Sequence, residues 1–194
     1  MLGLALVAAI VVALGLFVGV KSLVGHRSDA WMVFLGSGGH TGEMMRLLDN
    51  LSVTRPAHLL AVYSQGDDMS RKRALSLDAK MFAVPRARKV GQGWASSALS
   101  SLYSLWFSFG VVAKANPRLL LVNGPGTCVI LAACVVLLKP FGVQTTIVYV
   151  ESLARVSSLS LSGRLLYPVA DAFVVQWPQL VQKYPRAKYI GMLV

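Results

Sequence analysis

The chain has 194 residues, of which 55% are hydrophobic and only 14% charged, with a formal net charge of +11. That length supports one domain of ordinary size with an appendage, and the apolar share exceeds that of a typical soluble domain. Two cysteines, Cys128 and Cys134, lie six apart in one apolar stretch, which excludes a disulfide framework and metal-ligand spacing; reduced thiols in a reducing compartment are the simplest reading.

The apolar excess begins at once. Leu2 to Val20 is 19 residues without a charge, spanning roughly 28 Å as a helix, close to the hydrocarbon thickness of a bilayer. A cleaved signal peptide carries a basic leader and a shorter apolar core. Neither is present, so the segment reads as a retained membrane anchor. Lys21, His26 and Arg27 follow it and no Lys or Arg precedes it; the positive-inside rule then places the remainder in the cytosol. Residues 1–27 are read as anchor and basic flank, and 28–194 as the folded domain.

Trp31-Met32-Val33-Phe34-Leu35 is an unbroken apolar run of strand length, and Met44-Met45-Arg46-Leu47-Leu48 reads as a helix. Between them stands Gly36-Ser37-Gly38-Gly39-His40-Thr41-Gly42-Glu43. A strand, a glycine-dense turn and a helix start together make a backbone anion site, since glycines admit close approach and the first helical N–H groups point outward. His40 in that turn can change charge near neutral pH. Further strands are expected at 58–63, 80–84, 118–122, 146–150 and 171–175. Their near-continuous apolar character suits strands covered on both faces, and helical segments between them complete an α/β, Rossmann-like doubly wound parallel sheet.

Seven basic residues (Arg71, Lys72, Arg73, Lys80, Arg86, Arg88, Lys89) crowd one region with only Asp78 opposing them. Without interleaved aromatics or a nucleic-acid-binding signature, no nucleic-acid partner is expected. Anionic lipid headgroups, or simply a solvated face, account for the charge. In Trp94–Ala113, Ser96, Ser97, Ser100, Ser101, Ser104 and Ser108 fall within an arc of roughly 140° at about 100° per residue. Opposite them stand Trp94, Ala98, Leu102, Leu105, Trp106 and Phe109. Such a helix either packs its apolar side on the sheet or dips an aromatic edge into the membrane interface.

Asn123-Gly124-Pro125-Gly126-Thr127 is a second glycine-rich strand-to-helix turn. It leads into Cys128–Leu138, eleven apolar residues, too few to cross a bilayer and so a buried helix. Its glycines and proline make a tight turn with Thr127 as a cap; alongside the first turn it also reads as ligand-binding, since ligands bind at the carboxyl ends of such strands. Glu151 ends the fifth strand at that edge, able to accept a sugar hydroxyl, act as a base, or merely cap the segment that follows. Trp177-Pro178 opens a short helix that Pro185 stops. The closing Lys188-Tyr189-Ile190-Gly191-Met192-Leu193-Val194 either tucks into the domain or docks on a partner.

Known nucleotide fingerprints fail. The sixth position from Gly36 is Thr41 where a dinucleotide motif needs glycine, and no Gly-Lys-Ser/Thr closes a Walker loop. Nor does a Gly-x-Ser-x-Gly elbow occur.

Taken in order, the 36–43 turn, Asn-Gly-Pro-Gly-Thr at 123–127, Tyr-Val-Glu-Ser at 149–152 and Val-Gln-Trp-Pro at 175–178 resemble one family closely. Pro-Arg-Ala-Arg-Lys-Val at 85–90 and the closing Lys-Tyr-Ile-Gly-Met-Leu-Val add to the likeness. The chain is similar, from about residue 30 onward, to the membrane-anchored subunits of the two-subunit UDP-N-acetylglucosamine transferase of dolichol-linked oligosaccharide synthesis. That resemblance implies one half of a GT-B glycosyltransferase, carrying the acceptor side and the anchor in the endoplasmic reticulum membrane. A soluble catalytic partner would bind UDP-GlcNAc, and together the two would add the second GlcNAc, with inversion, to GlcNAc-diphosphate-dolichol in protein N-glycosylation. About 165 residues beyond the anchor suffice for one such half.

The expectations are then specific. Gly36, Ser37, Gly38, Gly39, Thr41, Asn123, Gly124, Gly126 and Thr127 cradle the acceptor diphosphate, with no metal and no cofactor. His40 is the first candidate for the base that takes the acceptor proton, or for a diphosphate or donor ligand; Glu151 is the second, or the group that orients His40. Ile190, Met192, Leu193 and Val194 dock the partner. The competing reading is a non-catalytic membrane scaffold on a vestigial Rossmann-like fold, and a third is a self-sufficient transferase.

Overall fold

Strands form where the apolar runs stand: β1 (Ser28–Leu35), β2 (Leu59–Ser64), β3 (Lys80–Val84), β4 (Pro117–Val122), β5 (Thr146–Val150) and β6 (Ala172–Val174). The computed structural model describes residues 2–51, 58–88 and 93–193, so Lys89 of the basic run and Val194 lie outside the described residues. A seventh strand, β7 (Ala187–Lys188), was not expected; two residues carry no periodicity to read. The sheet runs β3-β2-β1-β4-β5-β6-β7 and every pairing is parallel. This is the Rossmann strand order with one short strand added at the edge.

The continuous apolar strands are explained by two cores. On one face α2 (Gly39–Asn50) buries Met44, Leu47 and Leu48, and α3 (Asp68–Leu75) buries Ala74, against Val33, Leu35 and Ala61. On the other, α4 (Trp94–Ala115), α5 (Thr127–Leu138), α6 (Leu161–Leu166) and α7 (Gln179–Lys183) cover Met32, Phe34, Leu120, Ile147 and Phe173. The central strand β1 sends Met32 and Phe34 to one core and Val33 and Leu35 to the other, all fully buried. Helix α5 is apolar all round because the sheet, α4 and α6 enclose most of it.

Helix α1 (Leu2–Leu23) precedes the sheet, and its side chains Val11, Val12, Leu14, Leu16 and Val18 stand exposed on several sides. Among its described side chains, contact with the domain comes toward the C-terminal end: Phe17 lies 5.0 Å from the Phe141 ring, and Val20, with Val24 just beyond the helix, packs on the core. The exit is tied to the sheet's amino edge. Asn116, in the left-handed region at φ 35°, donates from Nδ2 to the Gly25 carbonyl at 2.9 Å and accepts from Ser28 N at 3.0 Å; asparagine tolerates that backbone.

Helix α4 reverses the usual order of faces. Its serines beyond the exposed Ser96 point inward: Ser104 and Ser108 are fully buried, Ser104 Oγ donates to the Pro85 carbonyl at 2.6 Å, and Ser100 Oγ donates to that of Ala87 at 2.6 Å. Of the apolar face, Leu105 and Phe109 pack on the core, but Leu102 and Trp106 are 63% and 80% exposed, with Leu99 and Tyr103 beside them. The segment Ser96–Ala115 is long and apolar enough to cross a membrane by length and composition, yet its serine side is built into the domain. Packing on the sheet through the apolar face is therefore only half right. Most of that face looks outward.

Burial pushes both thiols, Cys128 and Cys134, up to about 12. Reactivity follows the thiolate, which is then scarce near neutrality. Iodoacetamide at pH 8 is expected to leave the folded chain unmodified by intact-mass spectrometry, and to add two groups after denaturation.

Candidate functional site

In a sheet of this order the chain moves outward in one direction after β1 and in the other after β4, so a crevice opens between their carboxyl ends. Both glycine-rich turns stand there. Helix α2 starts at Gly39 with Gly38 as its cap, at φ +65°, a backbone that favours glycine; α5 starts at Thr127 behind Gly126. Neither cap makes a side-chain hydrogen bond to its helix. At α5 the N–H groups of Cys128 and Val129 already donate to the Pro125 and Gly126 carbonyls, at 2.9 and 3.1 Å. Two helix N-termini without side-chain caps thus meet at one place, and the positive ends of their dipoles favour an anion.

The turns interlock. A Cβ at Gly36 would fall 2.9 Å from Pro125 Cδ, and one at Gly124 (φ +89°) would fall 2.6 Å from His40 Cγ. The imidazole therefore lies directly over the Gly124 backbone. Ser37, Gly38, Gly39 and Gly126 are exposed. Thr41 is not: it is buried, donates to the Gly36 carbonyl and shares a 2.6 Å bond with Ser70 Oγ, closing the turn from below. Asn123 and Thr127 are likewise buried, Asn123 donating to Glu43 at 2.9 Å and Thr127 Oγ1 accepting from Ala87 N at 3.2 Å. These three side chains shape the crevice and do not face it.

Glu43 joins the parts. Its Oε2 lies 3.3 Å from His40 Nδ1 and accepts from Asn123 Nδ2 at 2.9 Å. Its Oε1 accepts from Ser152 Oγ at 2.8 Å and from Leu153 N at 3.2 Å. Loops after β1, β4 and β5 therefore converge on one carboxylate. Burial opposes its ionisation, but the bonds from His40, Ser152 and Leu153 and the His40 charge outweigh that and hold its pKa below the ordinary value.

Glu151, the second candidate base, is almost fully buried. Its Oε1 accepts from Ser152 N at 3.0 Å and Tyr149 Oη at 3.2 Å, and its Oε2 from Ser160 N at 2.9 Å and Ser160 Oγ at 3.1 Å. Gly163 leaves room for it, since a Cβ there would sit 2.3 Å from Oε2. Glu151 braces the 151–160 loop. The group bonded to His40 is Glu43, not Glu151.

A cleft of about 810 Å³ opens from this edge. His40, Gly124, Gly126, Glu151 and Ser152 form its polar end, and Arg88 and Arg155 add positive charge. Ala98 of α4, Val129 and Ile130 of α5, and Leu161 and Leu165 of α6 make much of the remaining lining apolar, with Ser97 and Ser101 of α4 and Ser160 and Ser162 at α6 among them. Among the described residues no group of three His, Cys, Asp or Glu side chains is arranged to hold a metal ion. In the basic run Arg86 faces Asp67 at 3.8 Å, an acid that the sequence reading did not count.

The segment after β7 divides. Leu193 is tied down, its N donating to Gln176 Oε1 at 3.0 Å and its carbonyl accepting from Asn50 Nδ2 at 2.9 Å. Ile190 and Met192 are 62% and 65% exposed, beside a hollow lined by Pro178, Val181, Ala187, Lys188, Tyr189 and Ile190. Glu43, within the glycine-rich turn, has no role among the sequence expectations. The available signal was its place three residues after His40 on a helix, where side chains meet.

A family model described as "Oligosaccharide biosynthesis protein Alg14 like" matches residues 31–193. The UDP-N-acetylglucosamine transferase subunit ALG14 of Rattus norvegicus is 42% identical over 185 residues, covering 87% of this chain and 85% of its own length. Among solved structures, Acinetobacter baumannii MurG superposes with a TM-score of 0.58 at 11% identity, covering 77% of this chain and 41% of that one. A UDP-N-acetylglucosamine 2-epimerase gives 0.59 at 14%, covering 82% and 45%. The chain thus spans less than half of either structure, and at these identities the likeness shows the fold: one Rossmann-like half of the GT-B kind.

Because the folded-state pKa of Glu43 is depressed, its contribution to stability is fully present above the ordinary value of 4.5 and is lost as pH falls through the folded value. The thermal midpoint of the solubilised chain should exceed that of Glu43→Gln at pH 7, and the gap should narrow as pH falls below 4.5. A gap that is constant across that range would show that the carboxylate is not held ionised by the fold.

Proposed function

This chain belongs to the Alg14 family, and on that premise we propose that it is the acceptor-side, membrane-anchoring subunit of a UDP-N-acetylglucosamine transferase. It works with a soluble donor-binding subunit on the cytosolic face of the endoplasmic reticulum membrane. Together they add the second GlcNAc to GlcNAc-diphosphate-dolichol. One observation carries the reading: a cleft in which His40 of the first glycine-rich turn and Gly124 and Gly126 of the second face a largely apolar lining from α5 and α6. A diphosphate carrying a sugar on one side and an isoprenoid on the other has that division of character.

The chemistry assigned to this chain is limited. N–H groups of the two helix starts, with Gly36, Ser37, Gly38, Gly39, Gly124 and Gly126 around them, hold the acceptor diphosphate at the positive helix ends. Arg155, exposed in the cleft, adds a cation. His40 takes the proton of the acceptor hydroxyl as its oxygen bonds to the anomeric carbon of the donor sugar. The bond from that carbon to the diphosphate breaks on the opposite face, so configuration inverts and UDP leaves with the electron pair. The donor is held mainly by the partner subunit.

Helix α1 is the anchor, and the outward apolar face of α4, with Trp106 80% exposed, lies in the membrane interface. Basic Arg71, Lys72 and Arg73, all exposed on α3, add attraction to anionic headgroups. Ile190 and Met192 receive the partner.

The test is reconstitution of the full chain with its soluble partner in liposomes. Transfer is expected only from the pair, and His40→Ala should lower kcat by about 10²–10⁴-fold; full transfer by that variant removes His40 as the base. Ile190→Asp with Met192→Asp should weaken partner binding at least about tenfold, as loss of central apolar anchors does. Unchanged binding removes the docking role of this segment.

A further inference from the structure

Two of the four groups around the Glu43 carboxylate can only donate. Asn123 Nδ2 and the Leu153 backbone N–H have no acceptor capacity, and they address different oxygens, Oε2 and Oε1. Both oxygens must therefore accept, which is the pattern of an ionised carboxylate. Turning the Asn123 amide around would set its Oδ1 against that carboxylate, so the assignment of its nitrogen follows from the same logic. His40 Nδ1, 3.3 Å from Oε2, then has one role left: it donates. In neutral imidazole a proton on Nδ1 leaves the lone pair on Nε2.

The surroundings hold this arrangement. The ring lies over Gly124, where a Cβ would fall 2.6 Å from Cγ. Other charged groups of the cleft are Glu151, Arg88 and Arg155. Glu151 does not compete for His40, because Tyr149, Ser152 N and Ser160 occupy both of its oxygens.

We propose that Glu43 is a positioning residue of the transfer reaction: it fixes His40 as the Nδ1–H tautomer, so that Nε2 is the proton acceptor. Through Asn123 and Ser152 the same carboxylate holds the loops after β4 and β5 at the distance from His40 that the reaction needs. The inference rests on the reading of His40 as the base. An amide is a poor substitute. Gln at this position sets an NH₂ group either against Asn123 Nδ2 or against Leu153 N–H, whichever way it turns.

Two measurements test it. The chain has three histidines, so long-range ¹H–¹⁵N spectra of the full chain in nanodiscs resolve each ring, with His40→Gln supplying the assignment. His40 is expected as Nδ1–H in the wild type, and an Nε2–H tautomer there overturns the proposal without any Glu43 variant having to fold. In the complex with the soluble subunit, UDP-GlcNAc and a short-chain GlcNAc-diphosphate-isoprenoid are the substrates. Glu43→Gln should lower kcat at least about tenfold while the acceptor KM stays within about threefold, the mark of an interaction used in the transition state. Wild-type kcat in Glu43→Gln, with His40→Ala inactive, sinks this inference and leaves His40 as the base. Full transfer by His40→Ala removes both.

Discussion

The β1–β4 pairing is the constraint on which the rest depends. Parallel register between Met32 and Leu120 and between Val33 and Leu121 brings the two strands to an end side by side. Chain direction reverses there, so the two glycine-rich turns have no intervening strand to separate them. Gly36 then packs on Pro125 and Gly124 on His40, at distances that a single methyl group would violate. Backbone contact of this kind explains why glycine serves at these two places. At Gly36 the reason is space; at Gly124 it is space and a positive φ together.

From that contact outward, polarity is arranged in layers. Beneath the turn lies a buried polar cluster, Thr41 with Ser70 and Asp67, that fills hydrogen-bonding capacity between β1 and α3. Level with the turn lies Glu43, and beyond it Glu151, each with both oxygens supplied by protein donors. The half-buried Glu43 and the buried Glu151 are tolerated there because hydroxyl, amide and loop N–H donors meet both oxygens of each. Their effect is to fix three otherwise independent loops. A loop edge held in this way presents its outward N–H groups in one geometry, which is what an anion site requires.

Much of this was legible in the sequence, and the parts that were not share a cause. Six strands could be read from their own residues: burial on both faces leaves an unbroken apolar run in the central ones, and β3, only partly buried, still carries four apolar residues in a row; β7 could not, because two residues carry no pattern. The turns at 36–43 and 123–127 announced themselves by glycine. Glu43 did not, since two of its partners, Asn123 and Ser152, are 80 and 109 residues away and become neighbours only through sheet order. Thr41 is a related case: spacing places it in the turn, but only the structure shows its hydroxyl bonded to Ser70 below. Helix α4 is the clearest case. Periodicity revealed two faces correctly, yet which one turns inward depends on the carbonyls of Pro85 and Ala87, which claim the serines.

That helix also has a mechanical consequence. Its 22 residues run about 33 Å from the cleft, where Ser97, Ala98 and Ser101 line the wall, to the amino edge. At that far end Asn116 and Gly25 fasten the root of α1. Helix α4 is thus a strut between tether and cleft. A domain hung on a flexible cord would sweep a hemisphere above its attachment point; one laid along a strut with an apolar underside has a single resting attitude. On the reading proposed above, the cleft would keep a set height and heading over the bilayer. A lipid-linked substrate diffusing in two dimensions would then meet an entrance that is already aligned.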